Sequence, residues 1–339
     1  MKQTKVTIKD KLLDEQGHVK HPGYATSLVL EYNRNQVKAK KHRIKEWDYY
    51  FFGNDQIGFA LTIADNSYMG LIGATIFDYK QKKRYDYKRV LPFTNGKLKL
   101  PTDSMNGDIV YQDRQVTFKV LLKLNKRYMY VKVNKFYKGQ PFEFYAEVTY
   151  QNKESLVIIT PYKDDPKAFY YNQKINNLVA NGSVKFGAKT YPLKNELGVL
   201  DWGRGVWTRD NTWYWSSLST TLTDGSSFGF NLGYGFGDTS AASENMAFYK
   251  GKAYKLDDVD FGLPKDNFSD DWHFTSQDGA IDLIFTPLYD NANKINLLYL
   301  RQNSHQVFGH FTGAMRLDEN TVISIKKAFG FAEKVRNVW

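Results

Sequence analysis

The chain has 339 residues, 47 of them lysine or arginine and 36 aspartate or glutamate, which gives a formal net charge of +11. It contains no cysteine, which excludes disulfides, thiolate zinc or iron–sulfur sites and a cysteine nucleophile. Hydrophobic residues make up 42%, enough for a sizeable core, and no stretch approaches ~18 uncharged apolar residues, so no helical membrane span is expected.

The N-terminal MKQTKVTIKDKLLDEQ is charged throughout and has no apolar h-region. A secretory signal is therefore not expected, and the expected location is the cytoplasm. Charge is uneven along the chain. Residues 1–200 carry 34 basic and 19 acidic residues, and the remainder 13 and 17. Two basic runs stand out, Lys38–Lys45 and Lys80–Arg89. They read as a surface for phosphate, nucleic acid or anionic lipid, or more simply as a solvated strand face and a hairpin tip. No helix-turn-helix, RNP or zinc-finger pattern accompanies them, so no nucleic-acid partner is expected. A transient membrane-surface contact through the basic half remains an expectation.

The predicted elements are strands. Apolar and polar residues alternate over 56–65, 68–79, 116–124, 128–136, 142–150 and 155–161, the period-two signature of a half-buried strand. Residues 179–196 read as a hairpin. The pattern resumes over 212–222, 227–236, 245–256, 280–288, 295–303, 305–317 and 321–335. Gly, Asn and Asp cluster between the segments, as turns require. The one helical window is a short C-terminal candidate around Glu333. Strands at this spacing predict an all-β chain of two antiparallel β-barrel or sandwich halves. The change in charge and motif near residue 200 divides it into 1–195 and 196–339.

The densest chemistry lies in LDWGRGVWTRDNTWYW. Four of the seven tryptophans, Trp202, Trp207, Trp213 and Trp215, fall there beside Asp201 and Arg204. Trp213 and Trp215, two apart on a strand, share a face. An apolar setting would raise the Asp201 carboxyl and an adjacent arginine would lower it. The cluster therefore reads as a shaped pocket with a catalytic acid or an anchoring carboxylate. As structure alone it is an Asp–Arg pair holding a turn, with tryptophans as core. Each buried indole N–H needs a partner, which makes dense tryptophan a costly filler. Glu244 and Asn245 stand at a glycine-rich strand entrance and, with Asn231, are further candidates. His305 and His310, five apart, point to opposite faces of a regular strand. At most one lines a given cavity unless Gly309 marks a bulge, and no metal site is expected. Phosphate loops, dinucleotide fingerprints, nucleophile elbows and HExxH are absent. Asp201 with Glu244 could instead serve as a glycosidase pair.

The run LDWGRGVW-x5-WYW, followed by GFNLGYGFGDTSAASENMAFYKGKAYKL, DLIFTPLYD, HQVFGHFTG and GFAEKVRNVW, resembles the bacterial family called domain of unknown function 2804. NSYMGLIGATIFDY and SMNGDIVY extend the resemblance into the first half. More distantly the chain is similar to carotenoid 1,2-hydratases and lipocalin-type Diels–Alderases. That resemblance implies two calycin-like barrels enclosing an apolar ligand. It also implies that Asp201, followed by the strand Trp213–Tyr214–Trp215, is an acid that protonates an alkene. Val199 stands where the hydratases have a tyrosine. Arg204, from GRG, is a feature of the domain of unknown function 2804 family itself and points to an anionic or carbonyl-bearing ligand instead.

The resulting expectation is acid-catalysed hydration, isomerisation or cyclisation of an apolar or amphipathic small molecule in a β-barrel pocket, without cofactor. Asp201, Arg204 and Glu244 would be catalytic. Trp202, Trp207, Trp213, Trp215, Asn231, Asn245, His305 and His310 would bind the ligand. The alternatives are a non-catalytic carrier of hydrophobic ligands and a carbohydrate-active enzyme.

Overall fold

The computed structural model describes residues 3–265, 267–296 and 301–339. Among the described residues every regular element is a strand or a single 3-10 turn, and Glu333 lies in the strand Thr321–Val338 rather than in a helix. The predicted strands appear in place, with two differences. Residues 245–256 form two strands, Met246–Tyr249 and Lys252–Lys255, because Lys250 and Gly251 both adopt positive φ and make a tight hairpin turn. The predicted 295–303 segment is not one strand. Ile295 and Asn296 end the strand Ile281–Asn296, and Arg301–Asn303 begin the strand Arg301–Asp318. The two pair antiparallel because the chain reverses between them, with 297–300 outside the described residues.

A twelve-stranded sheet holds the first part of the chain. It curls until its end strands, Lys83–Pro92 and Ile109–Gln112, come near each other. No backbone ladder joins these ends. They approach through Arg89 Nε, 3.0 Å from Asp113 Oδ2, and through Tyr85, edge-on to Tyr137 at 5.1 Å. A continuous apolar core that includes Phe52, Phe144, Tyr171 and Trp202 fills the inside.

The second sheet has nine antiparallel strands. Its end strands are Lys252–Lys255 and Val259–Asp260. The intervening chain can span no more than about 14 Å, so this sheet must curl back on itself too. Its own core includes Phe230, Trp272, Phe285 and Phe311. Two antiparallel β halves, each around its own core, are therefore present as expected. The sheets change hands between Val206 and Asp210, not at 195/196. The strand Lys189–Val206 pairs along both edges within the first sheet, so that sheet carries the Asp-Trp-Gly-Arg-Gly motif.

The two halves pack outer face to outer face. Phe51, Phe77 and Val199 of the first meet Trp215, Phe308 and Phe331 of the second in a separate apolar cluster. Asn176, at a bulge in the strand Asp165–Phe186, reaches across. Its Nδ2 donates to Ser217 Oγ at 2.9 Å and to the Phe230 carbonyl at 2.9 Å. Residues 168–180 and 198–206 of the strands Asp165–Phe186 and Lys189–Val206 are thus covered on both faces, one by the first core and the other by the second sheet.

Candidate functional site between the two sheets

Alternation along Lys189–Val206 decides which motif residues share a site. Leu200, Trp202 and Val206 belong to the first core. Asp201, Gly203 and Gly205 take the opposite face, toward the second sheet. The partner strand alternates likewise. Tyr171 enters the core, while Tyr170, Asn172 and Lys174 stand opposite Gly205, Gly203 and Asp201. A cavity of about 520 Å³ lies over this outer face. It is lined by Tyr170, Lys174 and Asp201 from the first sheet and by Trp213, Trp215 and Glu333 from the second. The pocket is therefore between the halves and not inside a barrel.

Its polar floor centres on Lys174. The Lys174 ammonium is 3.0 Å from Asp201 Oδ1 and 3.7 Å from Glu244 Oε1, and it lies 4.1 Å from the Trp215 ring centroid. Asn172 Nδ2 donates to Asp201 Oδ1 at 2.6 Å, and the Tyr170 hydroxyl donates to Glu244 Oε1 at 3.0 Å. Trp215 Nε1 donates to Asn231 Oδ1 at 2.6 Å, and Asn231 Nδ2 to the Glu244 carbonyl at 2.9 Å. Both carboxyls turn to the same ammonium. Burial pushes the Glu244 carboxyl above its ordinary range, and Lys174 offsets part of the rise.

A second polar group faces this one from the other sheet. Trp213 Nε1 donates to Glu333 Oε1 at 2.9 Å, and Gln306 Nε2 to Glu333 Oε2 at 3.3 Å. Gln306 Nε2 is also 3.3 Å from the Tyr49 hydroxyl. Burial pushes the Glu333 carboxyl up to about 7, with the Trp213 and Gln306 donors resisting the rise. A carboxyl poised there can give or take a proton at neutral pH.

Aromatic rings make the walls. Phe236 stacks on Tyr170 at 4.4 Å and on Trp213 at 5.0 Å, and Trp207 meets Trp47 edge-on at 5.2 Å. Gly203 is required at its position. A Cβ there would sit 2.0 Å from Trp47 Cζ2. Gly203→Ala is expected to push Trp47 into the cavity and to cost about 1–3 kcal/mol by overpacking, read as a lower urea midpoint together with quenched or shifted tryptophan emission.

Of the sequence candidates, Asp201, Glu244, Trp207, Trp213 and Trp215 line the cavity. Asn231 supports it from behind. One face of Trp215 carries the Lys174 ammonium. Trp202 and Arg204 do not line the cavity, because they alternate with Asp201 and point into the first half. There the Arg204 guanidinium bonds Asp48 Oδ1 at 3.1 Å and the carbonyls of Trp47 and Pro101 at 2.8 and 2.7 Å. Asn245 is also structural, binding Gly233 N and the Asp257 carbonyl. His305 stacks on Phe268 at 3.9 Å and pairs with Asp290, and His310 lies 3.5 Å from Asp55. Neither lines the cavity. The register does shift opposite Gly309, at Pro287/Tyr289, so Gly309 faces a bulge in the neighbouring strand.

Sequence reading missed Lys174, Tyr170, Glu333 and Gln306. The available signal was polar residues in FYYNQKINN and FAEKV, strands otherwise too apolar to face water. The basic runs do not lie wholly on a solvated face. Lys45, from the first run, is 2% exposed and lines the cavity, as does Lys88 at its rim.

A family model matches residues 3–339, almost the entire chain. The chain belongs to the Domain of unknown function (DUF2804) family. No curated protein sequence matches it significantly. Among solved structures, a Nitrosomonas europaea protein provisionally described as AttH superposes with a TM-score of 0.54 at 14% identity, over 90% of this chain and 96% of that one. At that identity the likeness is one of fold. Kievitone hydratase from Nectria haematococca aligns over 98% of both chains at 10% identity, with a TM-score of 0.47. Among the described residues of this DUF2804 chain, no helix is long and apolar enough to cross a membrane.

Proposed function

We propose that this protein binds an apolar or amphipathic small molecule in the cavity between its two sheets and converts it by proton transfer, as in hydration, isomerisation or cyclisation. The observation that carries this reading is the placement of Glu333. It is a carboxyl raised to about 7, held by two donors, in an aromatic-walled cavity opposite the Lys174–Asp201–Glu244 cluster. Glu333 is the proton donor and acceptor in this scheme. Apolar walls exclude water and strengthen each electrostatic contact. Lys174 and Asp201 act as a fixed polar floor that orients the substrate, and Glu244 supplies a second buried carboxyl, raised above its ordinary range mainly by burial. Trp213, Phe236 and Tyr170 offer π faces to any positive charge that develops.

The test uses the molecule that co-purifies. Wild type and Glu333→Gln are analysed by native mass spectrometry, and the extracted ligands by chromatography and mass. The expected result is a different molecule in each, with unconverted substrate retained by the variant. The same molecule in both would instead establish a carrier. The mutual satisfaction of Asp201 by Lys174 and Asn172 favours that second reading. A carrier would lose affinity in Trp213→Ala but not in Asp201→Asn.

A further inference from the structure

The cavity contains two buried lysines, and they differ in one respect. Lys174 is paired, with Asp201 and Glu244 within ion-pair reach. Lys45 lines the other end of the same cavity and is 2% exposed, yet no carboxylate among the described residues makes an ion pair with it. Its ammonium rests on the rings of Trp339 and Tyr68, 3.6 and 4.2 Å from their centroids. Its hydrogen bonds go to the carbonyls of His42 and Asn66, at 3.2 and 3.3 Å. All of these partners are neutral, so none cancels the charge of the ammonium.

The neighbouring carboxyl cannot turn to it. Asp65 Oδ1 already accepts from Ser67 N and Thr94 Oγ1, and Oδ2 from Gly96 N and Leu98 N. Burying a lysine without a counter-ion is costly. Here burial, with Arg43 and Arg34 nearby, presses Lys45 down to about 7. An anion arriving in the cavity would relieve both effects.

Geometry fixes where that anion would lie relative to the proton-transfer groups. Lys45, Trp47 and Tyr49 share one face of the strand Ile44–Gly53, and all three line the cavity. Tyr49 stands directly opposite Asp201. Four residues of strand place Lys45 roughly 13 Å from that point. Trp47 forms the wall between, and its register partners Ala64 and then Leu71 make a small apolar floor.

On the reading that this cavity takes an apolar or amphipathic molecule, we propose that the Lys45 end is a subsite for a carboxylate head group. The substrate is then an elongated acid whose apolar body runs past Trp47 and whose reacting part lies between Asp201 and Glu333.

Calorimetric titration with dodecanoate and with dodecanol separates head group from body. Wild type is expected to bind the acid about tenfold or more tightly than the alcohol, the scale of one charge-assisted hydrogen bond. Lys45→Met is expected to bind both equally and to keep the wild-type affinity for dodecanol, which also shows that the variant is folded. Equal binding of acid and alcohol by wild type, or a preference that survives in Lys45→Met, would overturn the head-group subsite and leave the apolar cavity standing. If wild type binds neither compound, the cavity does not take apolar chains, and the subsite and the proposed function fall together.

Discussion

Replacing Arg204 with methionine is expected to lower the free energy of unfolding by about 3–5 kcal/mol, the usual cost of breaking a buried ion pair from one side. Arg204 is wholly buried, and its guanidinium binds Asp48 Oδ1 and the carbonyls of Trp47, Gly203 and Pro101. It also lies over the Trp202 ring, 4.3 Å from the centroid. Burial already raises the Asp48 carboxyl, and Arg204 is the largest influence opposing that rise. Removing the arginine leaves a buried carboxyl and three carbonyls without their donor. Urea unfolding of Arg204→Met checks the figure. Asp48→Asn in the same background should recover part of the loss, because no charge is then stranded. A ligand bound in the cavity should keep its affinity, because Arg204 points away from it. A loss below about 1 kcal/mol would mean that the pair does not hold the motif in place.

Glu333→Gln carries the second large effect, and it has two signs. If Glu333 moves the proton, turnover is expected to fall by about 10²–10⁴-fold. Stability should move the other way. The ordinary glutamate value of 4.5 rises to about 7 in the folded protein, mainly through burial. A raised value means that the folded state holds this proton more tightly than the unfolded chain. The associated stability is fully present below pH 4.5 and is lost as pH rises to about 7. The full difference amounts to about 3 kcal/mol. Glutamine carries no such titration, and the Gln306 amide can turn to meet it. At pH 8 the variant should therefore be more stable than wild type by up to about 3 kcal/mol, with the gap closing toward pH 4. Urea midpoints of both proteins across that range decide the matter. A variant less stable than wild type at pH 8 would refute the account of Glu333.

The same contrast shows how far local pattern reaches. Strand content was legible because period-two alternation is a local property, and it placed most strands of both sheets, though not Ile44–Gly53, Lys83–Pro92 or Trp272–Ser276. The cluster around Asp201 was legible because four tryptophans beside an acid are conspicuous in any setting. Which of those residues share a site was not. DWGRG reads equally well with Asp201 or with Arg204 facing a ligand, since alternation divides the two without saying which face is which. The second sheet made that choice by covering the face that carries Asp201, Gly203 and Gly205.

Lys174 and Glu333 stayed hidden for a related reason. A strand between a barrel core and a second sheet is buried on both faces, so its hydrophobic alternation disappears. The polar residues in FYYNQKINN and FAEKV then look like interruptions when they are the floor and roof of a cavity. Lys45 was hidden by its company, one base in a run that otherwise faces solvent.

By itself the sequence determined an all-β chain of two antiparallel halves, its family, and an acid set among tryptophans. Only the tertiary structure decided that the cavity lies between the halves, that Lys174 and Glu333 complete it, and that Arg204 belongs to the scaffold. The physical reason is that strand formation depends on neighbours one and two residues away. A site on the shared face of two sheets depends on side chains more than a hundred positions apart, as Trp213 and Glu333 are.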